Sequence, residues 1–224
     1  MDEMVKILNE QGEETGVITE KLKAHKEGLC HGISAVAIIN SEGKLLLQKR
    51  ALVKRDEPGK WDLSAAGHIS ATDTVKQAAI RETFEEIGIK ITEDDLEQID
   101  TYIFKKEGIH KYINHYTYLF IVQKDIDEKT IVLQKSEVDE VKFVTKKEYN
   151  RMLKDGEMTG AIKYCKKILD YMKWKKYKIY EISLYIRKFI KETYNKVKGQ
   201  KFPKQWNIII YTILNLNAII TFKK

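Results

Sequence analysis

The sequence predicts an α/β fold: a mixed sheet with helices on both faces over residues 1–170, followed by a basic helical extension over residues 171–224. Three observations predict it. Apolar, β-branched and aromatic runs of strand length are mixed with two or three helical segments, without a long helix–strand repeat. One stretch, residues 67–89, puts three carboxylates on one side of a helix. Charge is split along the chain. Residues 171–224 hold 13 of the 40 Lys/Arg and 2 of the 33 Asp/Glu, so residues 1–170 keep 27 basic and 31 acidic side chains, a net charge of −4. The overall charge of +7 therefore belongs to the last quarter of the chain, which marks a separate element rather than a basic enzyme.

Taken in order, residues 4–8 and 16–19 flank the turn-rich Asn9–Glu14 and read as a β-hairpin. Residues 21–31 read as a loop or short turn carrying His25 and His31. Two apolar runs, 33–40 and 44–50, surround the turn signal at residues 40–43 and predict a buried strand pair. Residues 50–68 form a loop, with a turn at Pro58-Gly59, leading into a strand. Arg50, Lys54, Arg55 and Lys60 make that loop densely positive; it is either a solvated basic loop or a clamp for a diphosphate. Trp61 reads as a packing residue. Beyond the carboxylate stretch, capping residues lead into two aromatic-rich strands around Gly108, then a strand within 129–145 with Glu137, Asp139 and Glu140 near its entry, then helical segments at 145–156 and 161–174. Past Lys173 a basic amphipathic helix precedes a 15-residue apolar run, 207–221, which is shorter than the ~20 residues a membrane-spanning helix needs. That tail suits packing on the domain, a membrane surface, or a partner such as a second copy in a homodimer; no nucleic-acid motif accompanies it.

The carboxylate stretch opens at Gly67, where backbone can approach a ligand, and stops at Gly88. Ala79, Thr83 and Ile87 make a stripe that packs on a sheet, while Glu82, Glu85 and Glu86 lie together at spacing i, i+3, i+4. Asp73 and Arg81 are placed to approach each other. Crowded carboxylates repel unless a cation sits among them, and hard divalent cations such as Mg²⁺ prefer oxygen ligands.

This stretch resembles the Nudix box, Gly-x5-Glu-x7-Arg-Glu-U-x-Glu-Glu-x-Gly-U, with U a bulky aliphatic. Gly67, Arg81, Glu82, Glu85, Glu86, Gly88 and Ile89 match; Asp73 replaces the first Glu, and Thr83 the first aliphatic. The resemblance implies a Nudix α/β/α sandwich and Mg²⁺-dependent hydrolysis, with Mn²⁺ as an alternative metal. The substrate would be a small-molecule organic diphosphate, for example a nucleoside diphosphate linked to another group. It assigns Glu82, Glu85 and Glu86 to the metal. Arg81 becomes a catalytic-site residue held by Asp73, and Arg50, Lys54, Lys60 and Gly67 contact substrate. The water's proton goes to one of the box acids or to a downstream acid such as Glu137 or Glu140. Residues 4–90 also resemble isopentenyl-diphosphate isomerases, in which the positions of His25, His31 and His68 ligate metal together with two downstream carboxylates. Here Ala66 replaces the isomerase's catalytic Cys, and residues 113–120 carry no Glu. The isomerase-like branch of Nudix hydrolases is therefore the expectation, with His25, His31 and His68 as a candidate second metal site and His115 a further candidate. The alternatives are an isomerase-like enzyme or a non-catalytic nucleotide-binding module.

Composition narrows the setting. A chain of 224 residues with 43% hydrophobic and 33% charged side chains suits a globular core. Two distant cysteines, Cys30 and Cys165, exclude a disulfide framework or a zinc–thiolate site and fit a reducing cytoplasm. Residues 1–16 lack the apolar core of a secretory signal.

Overall fold

A computed structural model describes residues 3–107 and 112–172 of the chain. The expectations for residues 173–224, including the basic helix and the apolar tail, lie outside the described residues. Nine strands and three α-helices follow in order within them: β1 (Met4–Leu8), β2 (Glu14–Glu20), α1 (Lys21–Glu27), β3 (His31–Ile39), β4 (Leu45–Arg50), β5 (Trp61–Asp62), β6 (Ala65–His68), α2 (Val75–Ile87), β7 (Glu97–Glu107), β8 (Tyr112–Gln123), β9 (Val138–Val144) and α3 (Lys146–Lys154). No helix among the described residues is long and apolar enough to cross a membrane.

β3 is the hub. All nine of its residues are buried, as expected for a strand covered on both faces. It pairs in parallel with β8, from His31↔His115 to Ile39↔Gln123, and antiparallel with β6, from Ile33↔His68 to Val36↔Ala65. The alternation of side chains sorts its residues into two cores. Ala35, Ala37 and Ile39, with Leu119 and Ile121 of β8, pack under Tyr149 and Met152 of α3 and under Ile162, Cys165 and Ile168. Val36 and Ile38, with Phe120 and Val122, pack under Ala79 and Ile87 of α2. Helices thus cover both faces, as predicted. The first core extends past residue 170, because Met172 is buried within it.

Two local expectations are corrected and a third is refined. Residues 21–27 form a helix rather than a loop, since Ala24 and His25 are buried on its inner side and Gly28 ends it with the N–H bonded back to Ala24 O. β3 and β4 touch as a pair only at Ile39↔Leu45, beside the turn. Beyond it they splay, β3 to β6 and β8, and β4 to β5 and β9, because each strand finds longer partners elsewhere. The second helical segment near residue 165 is a 3₁₀ turn, Ala161–Tyr164, followed by a helical stretch at 168–172.

α2 forms where the pattern put it. Thr74 caps its start reciprocally with Gln77: Gln77 N–H donates to Thr74 Oγ1 at 3.2 Å and Thr74 N–H donates to Gln77 Oε1 at 2.8 Å. Gly88 ends it with φ +70°. Ala79, Thr83 and Ile87 are fully buried, the last worth roughly 2–3 kcal/mol of apolar burial. This anchored face fixes where the acidic face points.

Candidate active site

A cleft of about 650 Å³ opens where β3 forks between β6 and β8. Gly67, Arg81, Glu82, Glu85 and Glu86 line one side of it, and Arg50 at the end of β4 and Lys54 and Arg55 of the 51–60 loop line the rim.

Arg81 organises the carboxylate side. Its Nε donates to Asp73 Oδ2 at 3.0 Å, Nη1 to Glu82 Oε1 at 2.6 Å and Glu85 Oε2 at 3.3 Å, and Nη2 to the His68 carbonyl at 3.0 Å. The Asp-for-Glu replacement at position 73 therefore keeps the link to Arg81. Burial alone would depress the guanidinium's pKa, but Glu82 and Asp73 hold it above its ordinary value. Glu82 fills the space that Gly67 leaves: a Cβ on Gly67 would stand 1.9 Å from Glu82 Cδ. The close approach expected at this glycine is thus made by a carboxylate of its own chain.

Glu86 is buried, and its Oε2 accepts from Gln48 Nε2 at 2.8 Å and Ala66 N–H at 3.1 Å. Burial, then the neighbouring Glu82, pushes its pKa up to about 8. Burial likewise raises Glu82, against the pull of Arg81. Glu82 shares its cation, Arg81, with Asp73 and Glu85, and Glu86 pairs with no cation among the described residues. An all-oxygen donor set with that deficit fits Mg²⁺ or Mn²⁺. The three acids line one cleft, but with Arg81 between Glu82 and Glu85 their oxygens do not converge on one point.

The basic loop divides. Lys54 pairs with Glu137, which also lines the cleft. Arg50 Nε donates to Asp56 O at 3.1 Å, and its Nη1 lies 3.8 Å from Asp62 Oδ2. Lys60 instead donates to the Gly156 carbonyl and stands apart from the cleft lining. Glu140 lies on β9 facing Lys49 at 3.8 Å, also away from it. Glu57, with φ +46°, accepts from Gly160 N–H at 3.0 and 3.2 Å and so ties this loop to the 157–160 segment. Trp61 is buried, as expected, under the Lys142 ammonium at 3.9 Å from its ring centroid.

At the inner end, His25, His31, His68 and His115 each offer a ring nitrogen within 4.8 Å of the others'. They form the His/Cys/Asp/Glu group that converges in this way among the described residues. Four elements deliver them: α1, β3, β6 and β8, with His31 directly opposite His115. His25 Nε2 and His68 Nε2 are 3.1 Å apart. His31 Nδ1 lies 2.8 Å from Leu29 O and His25 Nδ1 3.2 Å from Tyr112 O, contacts that place a proton on Nδ1 and leave Nε2 as the lone-pair donor. Burial first, then the other imidazoles, lowers the His68 pKa well below its ordinary value. Neutral imidazoles are the form that binds metal. Gln48, Asp62 and Thr159 also belong to the site's surroundings, and sequence reasoning missed all three: in the sequence they are ordinary strand and loop residues without a motif.

The NUDIX domain family matches residues 29–164. Nudix hydrolase 3 of Arabidopsis thaliana is 38% identical over 159 residues, which is 68% of this chain but 20% of that protein. An uncharacterised Nudix hydrolase of Listeria monocytogenes is 37% identical over 151 residues, 67% of this chain and 85% of the relative. An isopentenyl-diphosphate Delta-isomerase of Aliivibrio fischeri is 28% identical, covering 72% of this chain and 91% of its own length. Among solved structures, a Deinococcus radiodurans protein superposes with a TM-score of 0.55 at 18% identity, over 71% of this chain and 94% of that one, a likeness of fold. The chain belongs to the Nudix family, the hydrolases of phosphoric anhydride bonds.

Proposed function

We propose that the chain hydrolyses a diphosphate linkage in an organic diphosphate, such as a nucleoside diphosphate joined to another group, with Mg²⁺ or Mn²⁺ held by Glu82, Glu85 and Glu86. The supporting observation is Glu86, a carboxyl buried beside a second carboxyl at the wall of a cleft whose rim is basic. When bound, the cation supplies positive charge to the phosphate oxygens and acidifies the attacking water. Arg81, fixed by Asp73, positions Glu82 and Glu85. Arg50, Lys54 and Arg55 receive the phosphates. Glu137, poised by Lys54 inside the cleft, is the downstream acid placed to take the water's proton; Glu140 is not. Ala66, which has no titratable side chain, counts against isomerisation. The test is Mg²⁺-dependent release of monophosphates from a panel of nucleotide sugars, dinucleotides and coenzyme diphosphates: the wild type turns over at least one, Glu86→Gln does not, and undiminished turnover in that variant sinks the reading.

The histidines support a second site. His25, His31 and His68, joined by His115, hold a transition metal through neutral imidazoles, a donor set that suits Zn²⁺, Fe or Ni rather than Mg²⁺. Elemental analysis of the purified protein checks this, and a wild type without bound transition metal after exposure to these ions counts against it.

A further inference from the structure

The floor of the cleft holds groups that the hydrolytic step does not use. Residues 157–159 run parallel to β5: Trp61 N–H donates to Glu157 O and Thr159 N–H to Trp61 O, both at 2.9 Å. This pairing sets Thr159 beside Asp62. Asp62 is largely buried, accepts from Leu63 N–H at 2.9 Å through Oδ1, and has Arg50 3.8 Å from Oδ2. Thr159 is 2% exposed and lines the cleft, yet its Oγ1 has no hydrogen-bond partner at normal distance, although it is near enough to Asp62 to favour the carboxylate. With its proton turned toward Asp62, the Thr159 hydroxyl keeps its oxygen lone pairs to accept from a ligand donor at the cleft.

The surrounding wall is aromatic and apolar. Tyr102 and Phe104 of β7 and Ile162 contribute to it, with Tyr164 stacked on Tyr102 at 5.6 Å between centroids. Cys165 donates to Tyr102 Oη at 3.3 Å, and burial pushes its thiol up to about 12, so it packs rather than reacts. Charge then sorts the two ends of a diphosphate ester. Phosphate is drawn to Arg50, Lys54 and Arg55 at the rim and repelled by Asp62; the organic group is left to the floor.

We propose that this floor is the subsite for the organic group, and that Asp62 and Thr159 select it by accepting a hydrogen bond from a hydroxyl or amine on an otherwise planar or apolar moiety. The inference rests on the diphosphate reading above. Its test compares ADP-ribose and UDP-glucose, which carry such donors, with isopentenyl diphosphate, which carries none beyond its phosphates. Turnover is measured for the wild type, Thr159→Val, Thr159→Ser and Asp62→Asn, and binding by calorimetry in the same variants carrying Glu85→Gln. The substitutions are close to isosteric, and melting curves check that each variant folds. The wild type should favour a donor-bearing substrate. Thr159→Val and Asp62→Asn should raise its KM and dissociation constant by about 10- to 100-fold with kcat largely kept, and Thr159→Ser should restore both. Isopentenyl diphosphate affinity should not fall in any of these variants. A wild type that favours isopentenyl diphosphate, or variants that weaken all three ligands equally, overturns the subsite while leaving hydrolysis standing. No turnover of any diphosphate overturns the hydrolase reading and the subsite with it.

Discussion

The two ends of the cleft answer the same physical problem with opposite chemistry. At one end burial raises the pKa of Glu86 and Glu82; at the other it lowers that of His68. Both shifts favour the uncharged form, as removal from water dictates. For an imidazole that form is already a metal ligand. For a carboxyl it is not, and a cation must enter before the group becomes useful. The ends also differ in origin. The acids come from one 13-residue helix, whereas the histidines come from a helix and three strands between residues 25 and 115.

The substitution expected to separate the ends most sharply is Glu86→Gln. Steady-state rates should fall by more than the ~10–100-fold typical of a residue that only orients a ligand, while elemental analysis finds any metal on the histidines retained. Next in size is Arg81→Lys, which loses the fork reaching Asp73, Glu82 and Glu85 together; a drop of about 10–100-fold in activity or Mg²⁺ affinity is expected. Gly67→Ala should displace Glu82 and cut the rate without touching the histidine end; crystallography of the variant would show the displaced carboxylate, and an unmoved Glu82 would refute the packing account. His115→Ala is the reciprocal probe. It should lower transition-metal content and leave hydrolysis largely intact.

A separate effect falls on stability and its pH dependence. The Glu86 carboxyl has a folded pKa near 8 against an ordinary 4.5, so the folded protein holds a proton that the unfolded chain releases. Its contribution to stability is therefore greatest below pH 4.5 and fades as pH rises toward 8. In chelator, denaturant melts should show stability declining across that window, less steeply in Glu86→Gln. Added Mg²⁺ should stabilise more at pH 8 than at pH 5.

Legibility followed sequence distance. The shared acidic side of α2 could be read from its spacing, because i, i+3, i+4 neighbours meet on any helix, but not the insertion of Arg81 between Glu82 and Glu85; the Asp73–Arg81 contact formed although Asp73 lies just before the cap rather than on the helix. The basic loop was legible as charge but not as direction: Lys54 enters the cleft and Lys60 turns to the Gly156 carbonyl, a choice made by a segment almost a hundred residues away. Resemblance supplied three histidines. The fourth was set by the parallel register of β3 and β8, which no local pattern encodes. Helix α1 escaped because one turn of buried Ala24 and His25 is too short for periodicity to show. Thr159 was invisible because its meaning depends on what Trp61 pairs with.

Glu57 combines an unusual backbone with a useful side chain. A non-glycine residue at φ +46° is strained by about 1 kcal/mol, and its carboxylate is what holds the cleft's basic loop to the turn at Gly160. Relief and attachment are therefore opposed at a single position. Glu57→Gly relaxes the chain and releases the loop, while Glu57→Ala releases the loop and keeps the strain. For an engineer, the pair separates strain from attachment in the loop that carries Lys54 and Arg55, so the entrance can be loosened with or without relief of the backbone.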